Sequence, residues 1–328
     1  MTHSFKKDII SFADANKGVD ALEKVLAGFK IKIEPGRLLE SIALALHELE
    51  LKHRSPSLQD DSQDIRSLLR ESLGMNHLTQ LILRVQGHQD FAELVNHLRL
   101  LNECNPLPNE TTSVLDQGAN KAFELLVACG AMHAGATCVR VDHPDNPVGD
   151  NPDVIATFEN VVWGFACKVA HSRSGLTLFG NIEKGIDQIE KSIAQRGVVI
   201  INAKNLLAHD NYLPILNRTE VLGGAKPIYG CFRSYLDATS CLSNEMFGIG
   251  DTVLGEMGHI AFENAFQGKK SVFRFLVYGH TIIGTRIKGA VMPTSLGCII
   301  AYPAGELMGH ESIVLNRLND GMNFSSPH

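Results

Sequence analysis

The chain has 328 residues, of which 44% are hydrophobic and 20% charged, and a formal net charge of −6 at pH 7. This composition is typical of a globular protein. The negative balance excludes a surface that is basic overall, so any contact with nucleic acid must come from a local patch.

Seven cysteines occur singly, without a C-x-x-C pair. An odd number of isolated cysteines favours reduced thiols over a disulfide framework or a structural zinc site. The first 18 residues lack a long apolar core with a small-residue cleavage site, and no apolar run approaches the roughly 20 residues that span a bilayer. The sequence therefore predicts a cytoplasmic protein without a membrane segment.

The first hundred residues contain apolar side chains at helical spacing, which predicts a mostly helical segment. A stretch with two prolines, Cys104 to Thr112, interrupts this pattern. We therefore expect an all-helical N-terminal domain of residues 1–108, followed by a second domain of residues 109–328.

Helical and strand patterns alternate through the second domain, which predicts an α/β fold with a mixed central sheet flanked by helices. The expected elements, in chain order, are a helix over 117–133, a short strand over 137–141, a hairpin over 151–169, a helix over 181–195, a buried strand over 198–202, helices over 231–266, a strand over 271–278 and a last helix over 306–318.

The hairpin suggests a chemical site. Its two apolar runs are joined by the polar turn Glu159-Asn160, with Asp153 at the head of the first run and Lys168 at the tail of the second. An antiparallel hairpin brings these two ends together. A carboxylate offers hard oxygen ligands to Mg²⁺, and an ammonium group orients water or offsets charge on a phosphate. We therefore expect a site that cleaves phosphodiester bonds.

Five residues carry a resemblance to a known family. Pro152 and Asp153 fit a PD pair, Lys168 fits the lysine that follows it, Glu124 fits an acid on the preceding helix, and Gln188 fits a glutamine on the next helix. In this pattern the chain resembles the PD-(D/E)XK phosphodiesterase superfamily, which contains restriction endonucleases, Holliday-junction resolvases and RecB-type nucleases.

The resemblance covers about residues 115–205 and implies a restriction-endonuclease-like core. It also implies a metal-dependent nuclease acting on nucleic acid, with DNA as the first candidate. Asp153 would bind Mg²⁺ or Mn²⁺, and Glu124 would bind a second metal ion or a metal-bound water. Lys168 would position the attacking water and stabilise the phosphate.

One position departs from the family pattern. The residue two before the lysine should be acidic and is Ala166. In some restriction-enzyme branches the following helix supplies the missing carboxylate, so we expect Glu183, and after it Glu190, as the replacement ligand. Both glutamates could instead form ordinary pairs along their helix, and Gln188 could be a surface amide.

Other interpretations stay open. Asp153 could simply begin a strand, Lys168 could guard a sheet edge, and Glu124 could pair with Lys121 or Arg140. The protein could then be a catalytically inactive nuclease-fold module that binds nucleic acid or a protein partner. The protein could also be a scaffold whose N-terminal helices join it to a protein partner or to a second copy of itself.

Overall fold

The computed structural model describes residues 11–54, 66–143, 151–213, 232, 234–287, 290–305 and 309–323. The helices in these ranges are α1 Phe12–Gly28, α2 Leu38–Arg54, α3 Arg66–Val85, α4 Val95–Arg99, α5 Gly118–His133, α6 Gly175–Lys191, α7 Tyr235–Met257, α8 His259–Phe266 and α9 Gly309–Asn323. The strands are β1 Thr137–Val141, β2 Val154–Phe158, β3 Val161–Val169, β4 Arg196–Asn202, β5 Ser271–Ile287 and β6 Ala290–Tyr302. None of the described helices combines the length and apolar character needed to cross a membrane.

The six strands form one mixed sheet in the order β1-β2-β3-β4-β5-β6. The first three strands are antiparallel neighbours, β3, β4 and β5 run parallel, and β5 and β6 form an antiparallel hairpin. Helices separate the parallel strands along the chain, as parallel pairing requires. The predicted α/β class, with a mixed sheet flanked by helices, is confirmed.

The predicted hairpin consists of β2 and β3. Its two turn residues, Glu159 and Asn160, have φ angles of 49° and 65°. Positive φ at both central residues is the requirement of the type I′ turn, whose twist matches that of antiparallel strands. At the other end the ladder closes with Val154 opposite Phe165. Asp153 and Lys168 therefore lie just beyond the paired part of the hairpin.

The two faces of the sheet bury different cores because successive strand residues point to opposite sides. Phe165 and Cys167 of β3 belong to a core shared with α5, α9 and the N-terminal helices, whereas Ala166 belongs to a core shared with α6, α7 and α8. The first core extends from Leu22 in α1 to the sheet. The helices of residues 11–102 thus pack directly on the α/β part, and the division into two domains stays a prediction.

Helix α6 crosses from β3 to β4 and differs in its bounds from the prediction. The expected helix covered residues 181–195, whereas α6 begins at Gly175 and ends at Lys191. At both ends of α6, backbone groups form hydrogen bonds with side chains that are distant in the sequence. The Glu256 carboxylate accepts a hydrogen bond from the Leu176 N–H at 3.0 Å, and the Lys270 ammonium donates to the Glu190 carbonyl at 2.9 Å. Each charge also has the sign that the helix dipole favours at that end.

Three buried histidines surround the place where α3 meets the β5–β6 hairpin. The rings of His77 and His280 lie 4.2 Å apart, and His209 Nδ1 is 3.0 Å from the Thr281 hydroxyl. Burial lowers the pKa of His77 to about 3 and that of His209 to about 4, and it holds the pKa of His280 well below its ordinary value. These side chains are therefore neutral in the folded protein near pH 7.

This burial predicts a pH-dependent stability. In the unfolded chain each histidine takes up a proton near pH 6.5, whereas the folded chain resists uptake until far lower pH. The contribution of these histidines to the free energy of unfolding is therefore fully present above about pH 6.5 and decreases as the pH falls. Between pH 7 and pH 5 we expect urea unfolding to show a loss of about 2 kcal/mol for each of the three histidines.

Substitution of one histidine tests its contribution to this pH dependence. His280→Gln should remove about one third of this pH dependence, whatever its effect on stability at pH 7. His47→Gln, which changes an exposed histidine, should leave the pH dependence unchanged. A His280→Gln protein with the full wild-type slope would contradict this explanation.

Candidate functional site

Asp153 is fixed at the open end of the β2–β3 hairpin. Its Oδ2 atom accepts a hydrogen bond from the Cys167 backbone N–H at 2.6 Å and lies 3.3 Å from Lys168 Nζ. The carboxylate thus accepts a backbone hydrogen bond at the point where the β2–β3 pairing would otherwise continue. The two charged side chains are 11% and 19% exposed, so they form a pair at the edge of the core that solvent still reaches.

Lys168 also connects the hairpin to α6. Its Nζ atom donates a hydrogen bond to Gln188 Oε1 at 2.7 Å. The amide of Gln188 is half-buried and holds the ammonium group beside Asp153. Three of the five predicted site residues are therefore in contact, although they come from three separate elements.

Glu124 lies in the middle of α5 with 2% of its side chain exposed. Lys121 Nζ lies 3.0 Å from each of its two carboxylate oxygens, and His97 Nε2 is 2.9 Å from Oε2. The contact with Lys121 is one of the two pairings that the sequence left open. The contact with His97 was not predicted, because no sequence spacing connects α4 to a residue 27 positions later.

Asp153 and Glu124 interact electrostatically. Burial raises the pKa of Glu124, the hydrogen bond from His97 opposes this rise, and the negative charge of Asp153 adds to it. Burial alone would lower the pKa of Lys121, but the neighbouring Glu124 carboxylate outweighs burial and the pKa is raised. The contacts form two ion pairs, Asp153 with Lys168 and Glu124 with Lys121, which influence each other electrostatically. We call these four side chains the ion cluster.

The structure places Glu183 and Glu190 elsewhere. Glu183 is exposed and lines a groove between α6 and α8 with Phe179 and Met257. It lies about 140° around the helix from Gln188, at 100° per residue. The carboxylate of Glu190 accepts a hydrogen bond from the Lys270 N–H. The structure therefore does not bring Glu183 to Asp153 and Lys168 within the described residues, and its role as the replacement ligand stays a prediction.

The two carboxylates that remain, Asp153 and Glu124, do not by themselves make up a metal site. Within the described ranges, no group of three or more His, Cys, Asp or Glu side chains is arranged to hold a metal ion. Mg²⁺, however, is often held by one or two carboxylates and completes its shell with water and substrate phosphate. Asp153 Oδ1 has no hydrogen-bond partner among the described residues, and Glu124 offers two further hard oxygens. A Mg²⁺ or Mn²⁺ ion at this place would take most of its ligands from water and substrate, and the metal site stays a prediction.

Tight packing accounts for the absence of an acid at position 166. Ala166 is fully buried and faces α6 where the helix carries Gly185. A Cβ atom on Gly185 would lie 3.1 Å from Ala166 Cβ and 2.8 Å from Val199 Cγ2. The helix and the sheet are therefore in direct contact at this point, and a carboxylate at position 166 has no space.

This contact predicts the result of placing at position 166 the acidic residue that the resemblance led us to expect. Ala166→Asp should lower the free energy of unfolding by more than about 2 kcal/mol, because it overpacks the interface and buries a charge. Gly185→Ala should cost about 1–3 kcal/mol by overpacking alone. Gly180→Ala is the matched control in the same helix, since a Cβ there meets no atom within 4 Å. Urea unfolding measures all three, and an Ala166→Asp protein as stable as the wild type would refute the packing argument.

Comparisons with protein-family models, with curated proteins and with solved structures found no match to this chain. Its chemistry therefore has to be inferred from its own side chains: a lysine bound to an aspartate and a glutamine, beside a second, buried carboxylate.

Proposed function

We propose that the protein is a metal-dependent nuclease that hydrolyses phosphodiester bonds of nucleic acid, with DNA as the first candidate, on a restriction-endonuclease-like core. The observation that carries the proposal is the position of Lys168 Nζ, in contact with both Asp153 and Gln188. The resemblance predicted these three residues, which lie in three separate segments of the chain.

Each residue has a distinct task in this proposal. Asp153 and Glu124 would hold Mg²⁺ or Mn²⁺, which supplies Lewis acidity and lowers the pKa of a bound water. Lys168 directs its ammonium group to the attacking water and to the charge that develops on the phosphate. Gln188 keeps that ammonium group in place, and the Cys167 N–H fixes the orientation of Asp153.

The site is reachable from solvent on the side of its lysines. Lys121 and Lys168 are 21% and 19% exposed, whereas Glu124 is 2% exposed. The two ammonium groups are therefore more accessible to a phosphate than the Glu124 carboxylate is. This arrangement is compatible with a polyanionic substrate even though the chain as a whole is acidic.

A second candidate function is a catalytically inactive nuclease-fold module that binds nucleic acid or a protein partner. Two observations favour it. Ala166 leaves the site with two carboxylates, and both oxygens of Glu124 are in contact with Lys121. Such a module would keep the fold and the ion cluster without cleaving a bond.

Cleavage assays separate the two functions. The purified full chain with Mn²⁺ or Mg²⁺ should cleave plasmid DNA, single-stranded DNA or RNA, and chelation should stop the reaction. Asp153→Asn and Lys168→Met should each lower the rate by about 100-fold or more, since both act on the reacting groups. Glu183→Gln should retain the wild-type rate because it changes an exposed carboxylate outside the ion cluster.

Cleavage that survives both Asp153→Asn and Lys168→Met would place the activity outside this site. Failure of the wild-type protein to cleave any of the three substrates with either metal would favour the inactive module.

A further inference from the structure

Helix α6 has a second apolar face besides the one that it buries against the sheet. The buried stripe contains Leu178, Ile182 and Ile186. The second face forms one side of the groove between α6 and α8, which we call the α6–α8 groove, with Leu176, Phe179, Gly180 and Glu183. Their spacing of three, four and seven residues is that of one helix face.

The other side of the α6–α8 groove repeats this pattern with small side chains. Ala261, Asn264 and Ala265 of α8 lie three and four residues apart, and Met257 precedes them at the end of α7. The groove has a volume of about 540 Å³ and is open to solvent. Small residues on both sides let the backbone of another helix approach closely, and the ridge of side chains on such a helix fits between two neighbouring helices.

Gly180 and two exposed apolar side chains point to an interaction at this groove. Glycine inside a helix is less stable than alanine, and a Cβ atom at Gly180 would meet no atom within 4 Å, so packing within the chain does not require glycine there. Leu176 is 63% exposed on α6. Ile260 is 76% exposed on α8, one turn before Asn264. Contiguous exposed apolar surface of this kind is typical of a protein interaction site.

The charge on the groove specifies what kind of partner fits. Glu183 is the charged residue among those that line the groove, and Asp187 follows one turn later on the same face of α6. Both are exposed, and within the described part of the chain neither forms an ion pair, even with the neighbouring Lys184. Like charges at this spacing repel each other, so a cation placed beside them is stabilising. A symmetric contact between two copies of the groove would bring the carboxylates of both together, so the charge favours a basic partner over a second copy.

We propose that the α6–α8 groove is the docking site for an amphipathic helix of a protein partner, with apolar side chains on one face and lysine or arginine beside them. The apolar face packs on Leu176, Gly180 and Ala261, and the basic side chains meet Glu183 and Asp187. This inference does not depend on the proposed nuclease function, because the groove lies on a different side of α6 from Gln188.

Selection of peptides against the purified full chain tests the proposal. The probe is a phage-displayed library of helical peptides of about 15 residues, with a fixed apolar stripe and with lysine, glutamine or glutamate at the flanking positions. We expect the enriched peptides to carry lysine at these positions. Fluorescence anisotropy then measures the affinity of each labelled peptide for the wild type and its variants.

Three variants locate the binding. Gly180→Leu fills the groove and should weaken binding at least about tenfold. Gly248→Leu is the matched control and should keep the wild-type affinity, because Gly248 is an exposed helical glycine of α7 where a Cβ also meets no atom within 4 Å. Glu183→Lys combined with Asp187→Lys should reverse the preference, so that glutamate peptides bind more tightly than lysine peptides.

The proposal is wrong if no peptide is enriched, if the enriched peptides bind Gly180→Leu as tightly as the wild type, or if the double charge reversal leaves the preference for lysine unchanged. Sedimentation velocity distinguishes the other occupant: self-association of the wild type that Gly180→Leu abolishes would assign the groove to a second copy and also overturn the proposal. If circular dichroism shows that Gly180→Leu does not fold, Leu176→Glu replaces it with the same expectation, because Leu176 is exposed.

Discussion

The site depends on compensating two carboxylates that are almost removed from water. A buried charge is tolerated only when it is paired and hydrogen-bonded. The partners of Asp153 come from β3, and those of Glu124 come from α4 and α5. The requirement to neutralise two acids thus joins the N-terminal helices, the first core helix and the hairpin at one end of the sheet. Any function assigned to this end has to begin from that electrostatic constraint.

The sequence was sufficient where the determining contacts are local. Alternating apolar residues and a two-residue polar turn specify the β2–β3 hairpin, and its register then places Asp153 and Lys168 together. The apolar stripe of α6 was likewise visible in its isoleucines, and the resemblance singled out Gln188 on the same helix, which the structure places in contact with Lys168. The hairpin and the helix could be predicted because each follows from short-range periodicity, whereas the roles that the resemblance implies for Asp153, Lys168 and Gln188 stay predictions.

The sequence was insufficient for prediction where tertiary packing determines which residues are in contact. The partner of Glu124 in α4 lies in another helix, with no periodic signal to link the two. Glu183 seemed a suitable ligand because it flanks the apolar stripe, but the side of α6 that reaches Lys168 is the side of Gln188. The meaning of Ala166 is also hidden in the sequence, because only the close approach of Gly185 shows that the position is filled. Spacing along one helix does not reveal what that helix faces.

The two ends of α6 are capped by residues that are distant in the sequence. This capping indicates how long a segment of the chain the proposed site needs. The charges that close its two ends come from α7 and from the residue before β5, each 80 positions away along the chain. A fragment truncated after β4 would contain all the residues assigned to the chemistry and would still lose both caps. Its helix would fray toward Gln188, and the lysine would lose its anchor. The geometry of the proposed site therefore depends on a longer segment than the one that carries the motif.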